Sequence, residues 1–356
     1  MRRVIGLLSW LGFGPRASGQ PEKPTVDTGR CVHALLVGAS CRRCAAACPN
    51  DAWSFVQDDL VLDPNRCDGC GLCVSVCPQD ALSQPYAPAL RVEDHSAFAA
   101  CQRVGVIGED GVIPCVHGIG EQDLYALAER GVHVLRLARE NCDECARGGK
   151  QRMDHLLPEV NDVLQSRRVP PVEILDLPFR QWHRALQRAV QRETLRPDRR
   201  RFLGLGRADA GTDAKPGEAP DGSRRSPLSS SRLPEADAAL FPWVPEILAE
   251  RCVACDACLH LCPTGALAIS EAASAYRMDA ARCNGCGLCS DVCEDDAIAL
   301  ARHARVTLDS LPYGMHHCEG CGCEFRDVKA GGDGGLCRIC AATERNRLLF
   351  HVVSDL

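Results

Sequence analysis

Between residues 98 and 180, short β-branched runs at 111–115, 132–137 and 172–177 alternate with stretches of helical periodicity at 121–129 and 149–165. Strand alternating with helix predicts a small parallel α/β domain over 95–180. On either side a shorter refrain takes over: a Cys, then Pro or Glu, two residues, Ala and an apolar residue. It reads Cys48-Pro49-Asn50-Asp51-Ala52-Trp53, Cys77-Pro78-Gln79-Asp80-Ala81-Leu82, Cys262-Pro263-Thr264-Gly265-Ala266-Leu267 and Cys293-Glu294-Asp295-Asp296-Ala297-Ile298. Four copies of one half-module predict two modules with internal two-fold repetition, at 31–92 and 245–305. Across 196–240 apolar residues thin out in favour of Gly, Pro, Ser and charge, the composition of a flexible linker.

The balance of 46% apolar and 25% charged residues over 356 positions is that of a globular chain, which excludes wholesale disorder and allows two or three domains. No window approaches 18 consecutive apolar residues, so the chain is expected to be soluble, without a membrane-spanning helix. A formal net charge of −6 gives no global basic field, and nucleic acid is not an expected partner. At the N-terminus two Arg precede a ten-residue apolar run, the outline of a short secretion signal, but Gly6, Gly12 and Gly14 weaken any helix there. Residues 1–30 therefore read as a tail. The stretch 198–203 looks like a twin-arginine export phrase; no apolar segment follows it, and the reading kept is a solvated basic linker.

Sulfur changes the picture. There are 25 Cys against sixteen Phe, Trp and Tyr, grouped as eight between 31 and 77, four between 101 and 145, eight between 252 and 293, and five between 318 and 340. Clustered C-x-x-C spacings point to metal sites, whereas disulfide frameworks favour short secreted domains with scattered cysteines. Cys67-x2-Cys70-x2-Cys73-x3-Cys77-Pro78 and Cys252-x2-Cys255-x2-Cys258-x3-Cys262-Pro263 have the spacing that wraps one loop around an iron–sulfur cube, with the fourth Cys directed to a second cube. Gly69, Gly71, Gly285 and Gly287 leave room for backbone N–H groups to approach the sulfurs.

With Arg-Cys-x-Gly-Cys-Gly-Leu-Cys at 66–73 and again at 282–289, both units resemble bacterial dicluster ferredoxins. The resemblance implies two [4Fe–4S] clusters in each unit, four in all. It implies one on Cys252, Cys255, Cys258 and Cys293, one on Cys283, Cys286, Cys289 and Cys262, and one on Cys67, Cys70, Cys73 and Cys48. The remaining set, Cys41, Cys44 and Cys77, departs from the family, because Gly38 stands where its first Cys is expected. Cys31 is the candidate fourth ligand, brought back by a loop over 32–40; otherwise the set holds a three-iron cluster or borrows another residue. Glu294 replaces the Pro expected after Cys293, which changes local charge and not the ligand count.

Cys101, Cys115, Cys142 and Cys145 fall near the ends of the predicted strands, and in a parallel sheet those ends share one edge. The segment 111–156 resembles the iron–sulfur (delta) subunit of methyl-viologen-reducing hydrogenases, which implies a [2Fe–2S] cluster and a link to heterodisulfide reductase. A single Cys101 stands where that family tends to carry a pair. Zinc and redox-active thiols are the other readings of these four. Cys318-x2-Cys321-x15-Cys337-x2-Cys340, within 314–350, has the spacing of a four-cysteine zinc site and resembles a zinc ribbon, with Cys323 left over.

The expected fold is α+β: two ferredoxin-like dicluster modules flanking a small parallel α/β domain, with a C-terminal zinc-ribbon-like knuckle. The expected function is a cytoplasmic electron-transfer protein relaying single electrons between a donor and an acceptor redox enzyme. A subunit of a reductase or electron-bifurcating complex with a redox-active middle site is one alternative; a redox-responsive regulator using the zinc segment is another. No dinucleotide or Walker loop is present, and Gly118-x-Gly120 and Gly204-x-Gly206 read as loops.

Overall fold

The computed structural model describes residues 21–86, 89–91, 95–147, 153–202, 239–270, 272, 274–328 and 335–347. The expected N-terminal apolar run and positions 203–238 of the expected linker lie outside them. The middle of the chain is a five-stranded sheet built around Ser96–Cys101, whose six residues are all buried. This strand pairs in parallel with Val112–Ile113 and with Val134–Ala138, and the latter pairs in parallel with Glu173–Asp176. The edge strand Ala89–Arg91 runs antiparallel, so the wholly parallel expectation holds for four strands of five. Helices Glu121–Glu129 and Met153–Ser166 cover one face through Leu124, Leu127, Val160 and Leu164. The other face is covered by Phe179–Phe202, which continues into the stretch expected to be linker and seats Trp182, Leu186 and Ala189 on Phe98 and Ala100.

Each cysteine-rich unit pairs short helices across its internal repeat. In the first, Arg43–Ala47 packs on Leu72–Ser75, under the hairpin Trp53–Val56/Asp59–Leu62. In the second, Ala257–Leu261 packs on Leu288–Asp291, between the pair Leu240–Ile247/Ile298–Arg305 and the strands Leu267–Ser270, Ala275–Met278 and Ser310–Pro312. The terminal segment is a hairpin, Gly314–His317 with Glu324–Asp327, followed by the helix Arg338–Arg347.

These units meet directly. Arg43 donates to the Gly285 carbonyl at 2.6 Å, and buried Asn284 donates to the Pro78 carbonyl at 2.6 Å. The Ser40 N–H donates to Asp291 at 2.8 Å, while Leu288, fully buried, packs with Val32 and Ala39. The middle domain joins the first unit through Arg147 and Asp68 at 2.5 Å, and the second through Arg167 to the Leu240 carbonyl at 3.1 Å. A cavity of about 330 Å³ remains where all three converge, lined by Arg43, Ser75, His117, Met153, Trp243 and Asn284 among others.

Candidate metal centres

The recurring Cys phrase has a local physical cause. The residue three after each of its cysteines, Asp51, Asp80, Gly265 and Asp296, lies in the left-handed region with φ between 46° and 63°. Glycine adopts that region freely, and aspartate tolerates it better than most residues. The turn points the next N–H back at the sulfur: Ala52 donates to Cys48 Sγ at 3.3 Å, Ala81 to Cys77 Sγ at 3.3 Å and Ala297 to Cys293 Sγ at 3.2 Å. Each of those alanines, and Ala266, is 2% exposed, which leaves little space for a larger side chain. In the C-x-x-C-x-x-C loops, Gly71 and Gly287 open short helices at φ 82° and 88°. Gly285 must lack a side chain for a second reason, because the Trp243 ring lies directly against it.

These turns gather the thiols by fours. Cys31, Cys41, Cys44 and Cys77 line one void with Phe55 and Leu60, and the loop from Cys31 is a one-turn helix, Val32–Leu35, that returns to Cys41. Cys48, Cys67 and Cys73 adjoin one another, with Cys70 next to Cys73. Cys252, Cys255, Cys258 and Cys293 line a second void. Cys262, Cys283, Cys286 and Cys289 adjoin one another. No described cysteine is in a disulfide.

Electrostatics shows what such sets lack. Burial pushes the Cys44 thiol up to about 12, with the Cys41 and Cys77 sulfurs adding to the rise. Burial does the same to Cys258, up to about 12 with Cys252, Cys255 and Cys293 adding, and to Cys283, up to about 12 with Cys286 and Cys262 adding. Cys73 is pushed up to about 12 by burial against the pull of the Trp53 side chain, which hydrogen-bonds its sulfur. Four thiolates so placed repel one another, and four thiols leave their acceptor capacity unused. A cationic iron–sulfur core takes all four as thiolates, and the donors present fit it.

The four middle cysteines also converge. Cys101 ends the central strand, Cys115 follows Val112–Ile113, and Cys142 and Cys145 flank the turn after Val134–Ala138, so all lie at the carboxyl edge of the parallel strands. They line an open pocket of about 340 Å³ with Arg103, Glu140 and Arg147. Burial pushes Cys115 up to about 12; Cys101 and Cys142 add to the rise, and Arg147 opposes it. The Gly118-x-Gly120 pair, read from the sequence as a loop, is a contact surface. A side chain on Gly120 would meet Ser75 of the first unit at 2.8 Å, and one on Gly118 would rest on the Gly71 backbone at 3.7 Å.

In the terminal segment Cys318, Cys321, Cys337 and Cys340 place their sulfurs within 4.8 Å of one another. Cys318 and Cys321 follow a hairpin strand, and Cys337 and Cys340 sit at the start of a helix. The Cys337 N–H donates to Cys318 Sγ at 3.1 Å and holds that thiol down to about 6. Cys340, hydrogen-bonded with the other three sulfurs, is pushed up to about 12. Such a set suits a metal ion. Leftover Cys323 is exposed. The segment is tied to the second unit by Arg326 to Asp256 at 2.5 Å and by Arg338 to Glu294 at 2.8 Å, which gives the unusual Glu294 a partner.

The first of these units matches a 4Fe-4S binding domain over residues 60–83 and the second a 4Fe-4S dicluster domain over 246–298. A ferredoxin of Methanothermococcus thermolithotrophicus is 33% identical over 60 residues, which is 17% of this chain and 92% of that protein. An uncharacterized ferredoxin of Methanocaldococcus jannaschii is 35% identical over 51 residues, 14% of this chain and 82% of its own length. The chain belongs to the ferredoxin family, as an iron–sulfur protein of the 4Fe-4S kind.

Proposed function

We propose that this protein carries single electrons between a donor and an acceptor redox enzyme, using four [4Fe–4S] clusters and a fifth centre in the middle domain. The observation that carries the reading is the succession of sulfur sets. Cys115 of the middle pocket shares an apolar cluster with Cys70 and Leu72. Cys73 lies close enough to Cys44 to act on it electrostatically, as Cys258 does on Cys289. Between the modules, Cys41 and Cys286 pack on one apolar cluster, that of Val32, Ala39 and Leu288. The sets thus adjoin in the order middle pocket, Cys48/67/70/73, Cys31/41/44/77, Cys262/283/286/289 and Cys252/255/258/293.

When bound, such clusters supply one-electron oxidation and reduction, with every iron held by sulfur and no position open to a substrate. The chain's part is to hold the thiolates, exclude water from between the sets and fix their order. The dicluster modules are 31–92 and 245–305, and Cys31 completes the first set in place of the missing Cys at 38. The middle pocket holds a [2Fe–2S] cluster, as in the hydrogenase delta subunits it resembles, and the terminal four cysteines hold zinc in a structural role. A second reading makes the chain a subunit of a reductase or bifurcating complex. It is favoured by the middle pocket, which is open and flanked by Arg103 and Arg147.

Iron and zinc per chain, measured on anaerobically purified protein, test the proposal. Four cubes need about 16 Fe and a [2Fe–2S] cluster about two more. The expected result is about 18 Fe with one Zn. Two Zn with about 16 Fe would remove the fifth centre, and clearly less than 16 Fe would overturn the four-cluster reading, beginning with the Cys31 set. Turnover of a disulfide by the isolated chain would favour the second reading.

A further inference from the structure

Gln79 is a polar side chain in a place where polarity is costly. It is 1% exposed, and neither its amide nitrogen nor its oxygen makes a well-formed hydrogen bond to a described residue. A buried amide in that condition is costly, and its donor is left for a sulfur-bound centre to accept. Its surroundings are sulfur. Gln79 lines the void of Cys31, Cys41, Cys44 and Cys77, and its backbone N–H hydrogen-bonds Cys77. Its side chain also reaches Cys286 across the seam between modules. The neighbouring contacts fix this crossing: Asn284 holds the Pro78 carbonyl at 2.6 Å, and Arg43 holds the Gly285 carbonyl at 2.6 Å.

We propose that the Gln79 carboxamide is a positioning residue that donates its N–H to the sulfur-bound centre of the other module, held by Cys262, Cys283, Cys286 and Cys289. Docking of the first module thereby sets the reduction potential of the second module's nearer centre. The inference rests on the electron-transfer reading above. Hydrogen bonds to the sulfurs are among the levers that set cluster potentials, and a donor favours the more negative, reduced form. Removing it lowers the potential of that one centre.

The test is a redox titration of the full chain followed by electron paramagnetic resonance, with iron measured on the same samples. In Gln79→Met, similar in size but without a donor, one midpoint falls by about tenfold in its reduction equilibrium, about 59 mV for one electron. The other midpoints stay in place and the iron is unchanged. Gln79→Leu also lacks a donor, so the same midpoint falls; it serves where methionine disturbs the seam. If both variants load full iron and every midpoint stays put, or all move together, the role of Gln79 is overturned while the electron-transfer reading survives. Wild-type protein without clusters would overturn that reading itself.

Discussion

At the scale of single residues, the cluster loops show how a few left-handed positions decide where sulfur points. Gly69, Gly71, Gly285 and Gly287 meet that demand at no steric cost, but the equivalent positions of the loop from Cys252 are Ala254 at φ 51° and Asp256 at φ 61°. A left-handed alanine costs roughly 1–2 kcal/mol, part of which glycine would return through its own larger loss of chain freedom. Ala254→Gly should therefore stabilise the protein by about 0.5–1 kcal/mol in anaerobic denaturant unfolding, and a loss of stability would show that the loop is not strained there. The 4Fe-4S character of the two units was legible in the sequence at this scale, because a covalent spacing and a turn preference act locally. What Asn284 does was not, since its partner Pro78 lies 206 residues away and nothing in its own neighbourhood marks it.

Among the elements, legibility tracked the physical signal each one carries. Helix Glu121–Glu129 was readable from its apolar spacing and its bounds agree with the structure. The central strand was missed because Ser-Ala-Phe-Ala-Ala-Cys contains no β-branched residue; it is a strand because small side chains let both helical layers approach the sheet. Helix Phe179–Phe202 was missed for a different reason: its charges outnumber its apolar residues. Its one signal was Trp182, Leu186 and Ala189, spaced four and three apart on a single face. Trp182 anchors that face, fully buried with its indole N–H on the Arg136 carbonyl at 3.0 Å. Trp182→Ala should cost about 3–5 kcal/mol in unfolding of the middle domain. A cost under about 1 kcal/mol would mean that the helix contributes little to the sheet.

For the molecule as a whole, the sequence suggested modules strung through a domain and a linker, whereas the structure packs them against each other. Repeats are visible in a sequence, but the faces by which they meet are made of scattered residues such as Val32, Ala39, Arg43, Trp243 and Leu288. Trp243 shows the economy of that seam: Arg43 of the first module lies 4.9 Å from its ring and Arg302 of its own module 5.3 Å. Because these contacts do not depend on the connecting chain, a protease site introduced between 212 and 230 should be cut without separating the halves. The two fragments are expected to elute together in anaerobic size exclusion; independent elution would show that the seam needs its tether.

The burial of the sixteen module cysteines is uneven in a way that bears on how the protein ages in air. Cys255 alone among them is exposed, at the end of the succession farthest from the middle domain, while Cys41 and Cys286 are covered by the seam. Oxygen and peroxide reach thiolates in order of their access. On the reading proposed above, damage to the modules then starts at Cys255, so that an injured molecule loses that outermost module link first and fails as a shortened wire, not as an emptied one.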